Sequence, residues 1–318
     1  MASVMSSSTP REQSVATLRA GDEVRAVFAC TRKERQISRA GSPYLTVELR
    51  DGTGTILGRA FRDADSLAGG FERGELVRVR GRVERFRDAL QIELSEISRA
   101  EGADADPTSF LPAAYRDLDE LDGFLEHIAR EVYDPGLRAL LEGLLDDGQL
   151  REAIRLAPCS VPGGTPGRAA GAGRGASTHH AYLGGLLEHT VAVATLALEL
   201  CALHPRLDRD LLIAAAIVHD LGKTREFTYG AEIRPSREGR LLGHIELGLR
   251  IIAPRIPEGV PEERRLALEH CVIVHHGPDP GSSSPRFASA EALALYRLNA
   301  LDAHLKGAFE LGFPALDA

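Results

Sequence analysis

The chain has no tryptophan, two methionines and only 5% aromatic residues in 318 positions. Broad aromatic platforms that stack many bases are therefore not expected; any stacking must rest on a few Tyr and Phe rings. Cysteine is scarce too: Cys30, Cys159, Cys201 and Cys271 are scattered, with no CxxC pair. That spacing excludes a zinc knuckle and a disulfide framework and suits a reducing cytoplasm. Apolar stretches such as residues 211–218 are far too short to span a bilayer. The opening MASVMSSSTPREQ lacks the apolar core of a signal peptide. These absences predict a cytoplasmic protein with no membrane partner.

What is present divides in two. Net charge is −8, which argues against a general nucleic-acid coat protein. Yet residues 15–100 carry 16 Lys and Arg against 13 Asp and Glu, a surplus of three, leaving −11 for the rest. In that mildly basic part, residues 23–30, 44–50, 55–61, 75–86 and 91–97 alternate apolar and polar, with Asp51-Gly52-Thr53-Gly54 as a turn. Five short strands with Gly turns predict a small β-barrel of the oligonucleotide-binding (OB) type. Arg78, Arg80 and Arg82 recur at i, i+2 and i+4, so they share one face of a strand. With Lys33, Arg35, Arg39 and the stacking candidate Tyr44 they form a candidate groove for single-stranded nucleic acid; a solvated outer face is the competing reading.

Residues 101–112, acidic with two prolines, read as a linker. Beyond them the apolar period becomes helical, first around Leu118, Leu121, Leu125 and Ile128, then around Leu137, Leu140, Leu141 and Leu144. A Gly-rich stretch near 163–175 reads as a mobile loop, since no Gly-Lys-Ser/Thr follows to make it a phosphate-binding loop. Five helices are predicted after it, over residues 182–203, 209–221, 244–253, 261–276 and 288–309. The expected fold class is α+β multidomain: a disordered lead (1–14), the barrel (15–100), the linker, and an all-α domain (113–318).

All eleven histidines lie in this all-α part, ten of them after residue 170. Singly, a buried histidine is more often a hydrogen-bonded core residue than a ligand. Collectively they recur near helix ends: His189 early in one helix, His219-Asp220 closing the next, His244 opening another, His275-His276 closing a fourth, and Asp302 within the fifth. Imidazoles mixed with carboxylates suit Mn²⁺, Fe²⁺, Zn²⁺, Co²⁺ or, more weakly, Mg²⁺. An aspartate among such ligands can bridge two ions about 3.5–4 Å apart, a geometry suited to phosphoester hydrolysis.

The segments Gly184-Gly185-Leu186-Leu187-Glu188-His189-Thr190, Ala216-Ile217-Val218-His219-Asp220-Leu221-Gly222-Lys223, Gly243-His244, Val274-His275-His276-Gly277 and Asn299-Ala300-Leu301-Asp302-Ala303 resemble the HD phosphohydrolase superfamily. The barrel ahead of them, with His179-His180-Ala181-Tyr182 and Leu241-Leu242-Gly243-His244, makes the chain similar to the YhaM-type bacterial 3′–5′ exoribonucleases from about residue 15 to 310. The resemblance implies His189, His219, Asp220 and Asp302 as ligands of one metal. It implies a second ion held by Asp220, His244, His275 and His276, with Mn²⁺ favoured. Lys223 would bind phosphate or stabilise the leaving group, a C-terminal helix charge being its alternative. His180 would bind substrate phosphate or support a ligand, and Glu188 would be a supporting or surface residue. His127, His204 and His304 match no motif position, and His270 reads as packing.

The expected function is a metal-dependent 3′–5′ exonuclease of single-stranded RNA, with DNA left open, releasing nucleoside monophosphates. Homo-oligomerisation is a further expectation of the resemblance. The rivals are an HD-type nucleotide or cyclic-nucleotide phosphohydrolase with a regulatory barrel, and a nucleic-acid-binding adaptor with an inactive site.

Overall fold

The computed structural model describes residues 13–37, 41–87, 89–102, 110–162, 179–277 and 286–311. Contacts divide the chain into two units, Met1–Pro112 with Tyr229–Glu232, and Ala113–Thr228 with Ile233–Ala318. Most of the expected lead (1–12), most of the linker (103–109), the Gly-rich stretch at 163–175 and Arg39 lie outside the described residues.

In the first unit the alternating segments become β1 (Glu23–Ile37), β2 (Pro43–Asp51), β3 (Gly54–Ala60), β4 (Leu76–Phe86) and β5 (Ala89–Arg99), with a short helix α1 (Ala64–Ala68) between β3 and β4. They close into a barrel in the order β1-β2-β3-β5-β4. Every pairing is antiparallel except β3 with β5. Strand β1 runs well past its expected end at residue 30. Its first half pairs with β4 and its second half with β2, and the register shifts between Cys30 and Arg32 where it changes partner. Such a bulge bends one strand enough to serve two neighbours. The inward positions Phe28, Leu45, Val47, Leu49, Val77, Val79 and Ile92 are fully buried, so the period-two pattern is the barrel core.

The second unit is helical: α2 (Leu118–Arg130), α3 (Pro135–Leu145), α4 (Gly148–Leu156), α5 (Gly185–Leu203), α6 (Arg209–Val218), α7 (Lys223–Glu226), α8 (Arg237–Ile252), α9 (Glu262–Val274) and α10 (Ala290–Leu311). A two-stranded sheet, β6 (Phe227–Tyr229) and β7 (Ile233–Pro235), was not expected, because three residues are too few for alternation to register. Acidic side chains start several helices. Asp117, Asp134, Asp147 and Asp208 accept hydrogen bonds from first-turn amides of α2, α3, α4 and α6. Part of the negative charge of this unit is thus helix capping.

One helix exceeds the apolar lengths read from the sequence. Helix α5 is 19 residues long with a mean hydropathy of 1.6, enough by length and composition to cross a membrane. Its apolarity has another explanation. It packs against α2, α4, α6 and α10, and it buries Glu188 and His189 along with Leu186, Leu187, Val193 and Ala197. Helix α6 beside it is buried on all sides from Leu211 to Val218, which is why that run reads as uniformly apolar rather than amphipathic.

Candidate metal centre

Two helices end in the same way. His219 follows the last residue of α6, and its Nδ1 lies 2.8 Å from the Ala216 carbonyl. His275 follows α9, with Nδ1 2.6 Å from the Val272 carbonyl. The last carbonyls of a helix lack intrahelical partners, and a carbonyl can only accept. Each Nδ1 must therefore carry the proton, and each Nε2 is left as a bare lone pair.

Both lone pairs face Asp220. His219 Nε2 is 3.4 Å from Oδ2, and His275 Nε2 is 3.5 Å from Oδ1. His189 adds a third, its Nε2 3.6 Å from Oδ2 and 3.3 Å from His219 Nε2. Its Nδ1 lies 2.6 Å from Asp302 Oδ2, so that nitrogen donates, and Nε2 is left between Asp220 and the Asn299 side-chain oxygen. His244 Nε2 stands 3.5 Å from Asp220 Oδ1 and 2.9 Å from His276 Nε2, while its Nδ1 faces Glu226 at 3.4 Å.

Glycines make these approaches geometrically available. A Cβ on Gly222 would stand 1.8 Å from the His244 carbonyl oxygen. Gly243, at φ 72°, breaks α8 just before His244.

The ionisation states follow. Burial lowers His189 and His275 to about 4, and the neighbouring carboxylates do not offset it, so both are neutral near pH 7. Burial would raise Asp220, but Lys223 and His219 hold it well below the usual carboxylate range. Lys223 Nζ sits 2.8 Å from Asp220 Oδ2, and this contact outweighs burial to hold the ammonium above its ordinary value. Burial would likewise raise Asp302, which the hydrogen bonds from His180 and His189 keep below its ordinary value.

This donor set fits a divalent metal. Oδ1 of Asp220 and Nε2 of His275 are buried without a hydrogen-bond partner, and Oδ2 of Asp220 has only the Lys223 ammonium. Acceptor faces acceptor across 3.4–3.6 Å, an arrangement that a cation between them would satisfy. Two groups meet at Asp220: His189 and His219 on one side, His244, His275 and His276 on the other. Asp302 groups instead with His180 and His189. The resemblance implied Asp302 as a direct ligand; here it lies against the outer nitrogen of His189. Lys223 points at Asp220 from within the core, and His180 at Asp302 with Nε2 3.0 Å from Oδ2. Burial would lower His180, but the Asp302 and Glu188 carboxylates raise it. Glu226 and Asn299 were missed. Asn299 Oδ1 is 3.0 Å from His189 Nε2 and its Nδ2 donates to the His275 carbonyl. Asn299 stands three residues before Asp302, a helical spacing that could have flagged it.

The described barrel candidates fall on two parts of the barrel surface. Arg78, Arg80 and Arg82 lie outward on β4, across from residues 23–27 of β1. Lys33 and Arg35 lie on the other half of β1, at least six residues or about 20 Å along the strand. Arg80 pairs with Glu96 at 3.2 Å, and Arg82 stands opposite Glu23 and Glu93. Lys33 donates to the Phe71 carbonyl at 2.6 Å, and Arg35 pairs with Asp65 at 2.5 Å. Tyr44 donates to Gln36 and stacks on Phe61, ring centroids 5.6 Å apart. Two other rings, Phe61 just after β3 and Phe86 at the end of β4, are also stacking candidates by sequence, with core packing as the alternative. Phe61 and Phe86 are half exposed, and the guanidinium of Arg59 sits 5.2 Å over the Phe86 ring. Arg59 Nε and Thr46 Oγ1, on directly paired residues, are buried without hydrogen-bond partners.

A closed five-stranded barrel and a helical bundle that gathers histidines around one aspartate define an OB-fold domain joined to an HD domain. Residues 29–100 match the OB-fold nucleic acid binding domain model, and residues 186–304 match the HD domain model. The chain thus carries a match to each of the two domain models, the OB-fold model ahead of the HD model. More particularly, it is similar to proteins named 3′-5′ exoribonuclease YhaM from Shouchella clausii, Halalkalibacterium halodurans and Bacillus licheniformis, at 28%, 27% and 29% identity. Each match covers 90% of this chain and 84–86% of the relative.

Proposed function

We propose that this chain is a metal-dependent 3′–5′ exonuclease that hydrolyses single-stranded RNA to nucleoside monophosphates. The observation that carries the hydrolytic part is Asp220, whose Oδ1 has no donor and whose Oδ2 has only the Lys223 ammonium, while each oxygen faces a separate set of imidazole nitrogens. His189, His219 and Asp220 would hold one divalent ion, and Asp220, His244, His275 and His276 a second. The mixed imidazole and carboxylate donors admit Mn²⁺ along with Fe²⁺, Co²⁺ and Zn²⁺. When bound, such ions supply Lewis-acid activation of a phosphoryl oxygen and of water. The chain's own residues do the rest. Lys223 neutralises Asp220 from inside and keeps it ionised. Glu226, Asp302 and two helix-end carbonyls hold four imidazoles with Nε2 turned inward. The RNA substrate and the 3′–5′ direction are supported by similarity to the exoribonucleases over 90% of the chain. On the barrel, the strand would lie along the Tyr44–Phe61 stack and the Arg59–Phe86 pair, where rings are open to bases.

The test is a time course on 5′-labelled single-stranded RNA and DNA with Mn²⁺, Mg²⁺ or chelator. A ladder shortening from the 3′ end, with monophosphate products and loss under chelator, is expected on RNA; the DNA lane sets the breadth of the substrate. Hydrolysis of free nucleotides or cyclic nucleotides with no shortening of either oligonucleotide would overturn the reading.

A further inference from the structure

Asp302 is held by more than His189. His180 Nε2 lies 3.0 Å from the same Asp302 oxygen, and His180 Nδ1 lies 3.0 Å from the Tyr182 hydroxyl. That hydroxyl donates to Glu188 Oε2 at 2.5 Å, and Lys306 donates to Glu188 Oε1 at 3.1 Å. The chain of contacts closes on itself. Lys306 stands one turn after Asp302 on α10, and Glu188 immediately precedes His189 on α5.

Donor counting assigns His180 its role. A carboxylate only accepts, so Nε2 donates to Asp302; the Tyr182 proton is committed to Glu188, so the hydroxyl oxygen accepts from Nδ1. Both ring nitrogens are then used within the protein, leaving no lone pair for a metal. The His180 backbone is also held in a left-handed conformation, φ 48°, unusual for a residue other than glycine. Its carbonyl accepts from Cys159 N at 3.0 Å and its amide donates to Glu310 Oε1 at 3.3 Å.

We propose that Tyr182, Glu188 and Lys306 are positioning residues that clamp His180 across Asp302, and so fix the Asp302 carboxylate on His189 Nδ1 with Nε2 turned to the Asp220 group. This deepens the metal-site reading and rests on it. Tyr182, Glu188 and Lys306 lie outside the ligand groups at Asp220. Their effect passes through His180 and Asp302 to the orientation of one imidazole, as outer partners of metal-bound histidines generally act.

The experiment titrates the chelator-treated full chain with Co²⁺, following the visible d–d spectrum and the calorimetric affinity, with kcat and KM on an RNA oligonucleotide measured beside it. Tyr182→Phe, which removes one oxygen and keeps the ring, is expected to lower Co²⁺ affinity about 10-fold, alter the spectrum and reduce kcat about as much. KM is expected to stay within about twofold and the melting temperature to hold, since neither the barrel nor the core is touched. Lys306→Met, at the partly exposed end of the clamp, is expected to shift both readouts in the same direction, and Lys306→Arg to restore them. Wild-type affinity and spectrum in both Tyr182→Phe and Lys306→Met would overturn the clamp while leaving the metal site standing. Failure of the wild type itself to bind Co²⁺ would overturn both.

Discussion

Asp220 and Arg80 each belong to a motif that stands out in the sequence, and their surroundings are opposite. Asp220 is 1% exposed and faces three imidazole lone pairs that cannot donate to it, with Lys223 as a buried cation on one oxygen. Arg80 has a side chain 42% exposed and a carboxylate already beside it on the neighbouring strand. The first arrangement is incomplete without a ligand, because burial removes the water that would satisfy its acceptors. The second is complete as it stands. A charged motif therefore points to a ligand where its own fold leaves the charge unmatched, and to a solvated surface where the fold matches it.

The hardest way to break this contrast is Asp220→Asn. Loss of the shared carboxylate should reduce hydrolysis of labelled RNA by at least about 100-fold, beyond what loss of an outer partner costs. It should also strand the Lys223 ammonium in the core, at about 3–5 kcal/mol of stability in urea melts. Activity within a factor of about three of wild type would show that Asp220 is not at the centre.

The second test uses protons. In the chelated protein His189 and His275 titrate at about 4, against 6.5 for an unperturbed imidazole. The unfolded chain takes up protons near pH 6.5 where the folded chain does not. Their contribution is thus present above pH 6.5 and lost as pH falls from 6.5 to 4. His180, shifted upward, works in the opposite sense and offsets part of this. Glu188, held at about 2 by hydrogen bonds from His180 and Tyr182 that outweigh burial, loses its contribution only at lower pH. Urea melts with chelator should show roughly 2–4 kcal/mol less stability at pH 5 than at pH 7. Equal stability at the two values would mean that these imidazoles are not held neutral by burial.

A milder test concerns the open face of the barrel. Phe61→Ala removes one stacking surface while leaving every charge in place. Fluorescence anisotropy on a labelled single-stranded RNA should show a loss of about 1–3 kcal/mol in binding, the range for one stacked base. Its salt dependence should be unchanged, since no phosphate contact is removed. Wild-type affinity would remove Phe61 from the interface.

These contrasts also mark what the sequence could say. The barrel was legible because period-two alternation in residues 44–50 and 75–86 admits one buried face, and the histidine series because its members recur at helix ends. The partner of each nitrogen was not. That His219 and His275 spend Nδ1 on a carbonyl three residues back depends on helix termination, and the Asp302 contact to His189 joins residues 113 positions apart. The arginine stripe meets a related limit. Spacing shows that Arg78, Arg80 and Arg82 share a face, whereas the acids opposite them come from other strands through a register that a bulge resets near Arg80. Arg59 was passed over because a single arginine in a strand carries no pattern; its position over Phe86 exists only once β3 and β4 share a barrel.

The smallest expected effect is the sharpest test of the comparison. Arg80→Ala removes a side chain that lies 3.2 Å from Glu96 and is well exposed, a pairing of the kind worth about 0–1 kcal/mol. If Arg80 is matched surface, RNA affinity should fall by less than about threefold, and stability by no more than that pairing. The decisive quantity is the slope of log affinity against log salt. An arginine that neutralises a phosphate contributes about 0.7 to that slope on a single strand, and its removal flattens the line by that amount. A slope for Arg80→Ala parallel to wild type places the arginine outside the strand's path, whatever small change in affinity accompanies it. A flattening by about 0.7 would mean that the strand displaces Glu96, and that a charge matched in the free protein can still be recruited when a stronger acceptor arrives.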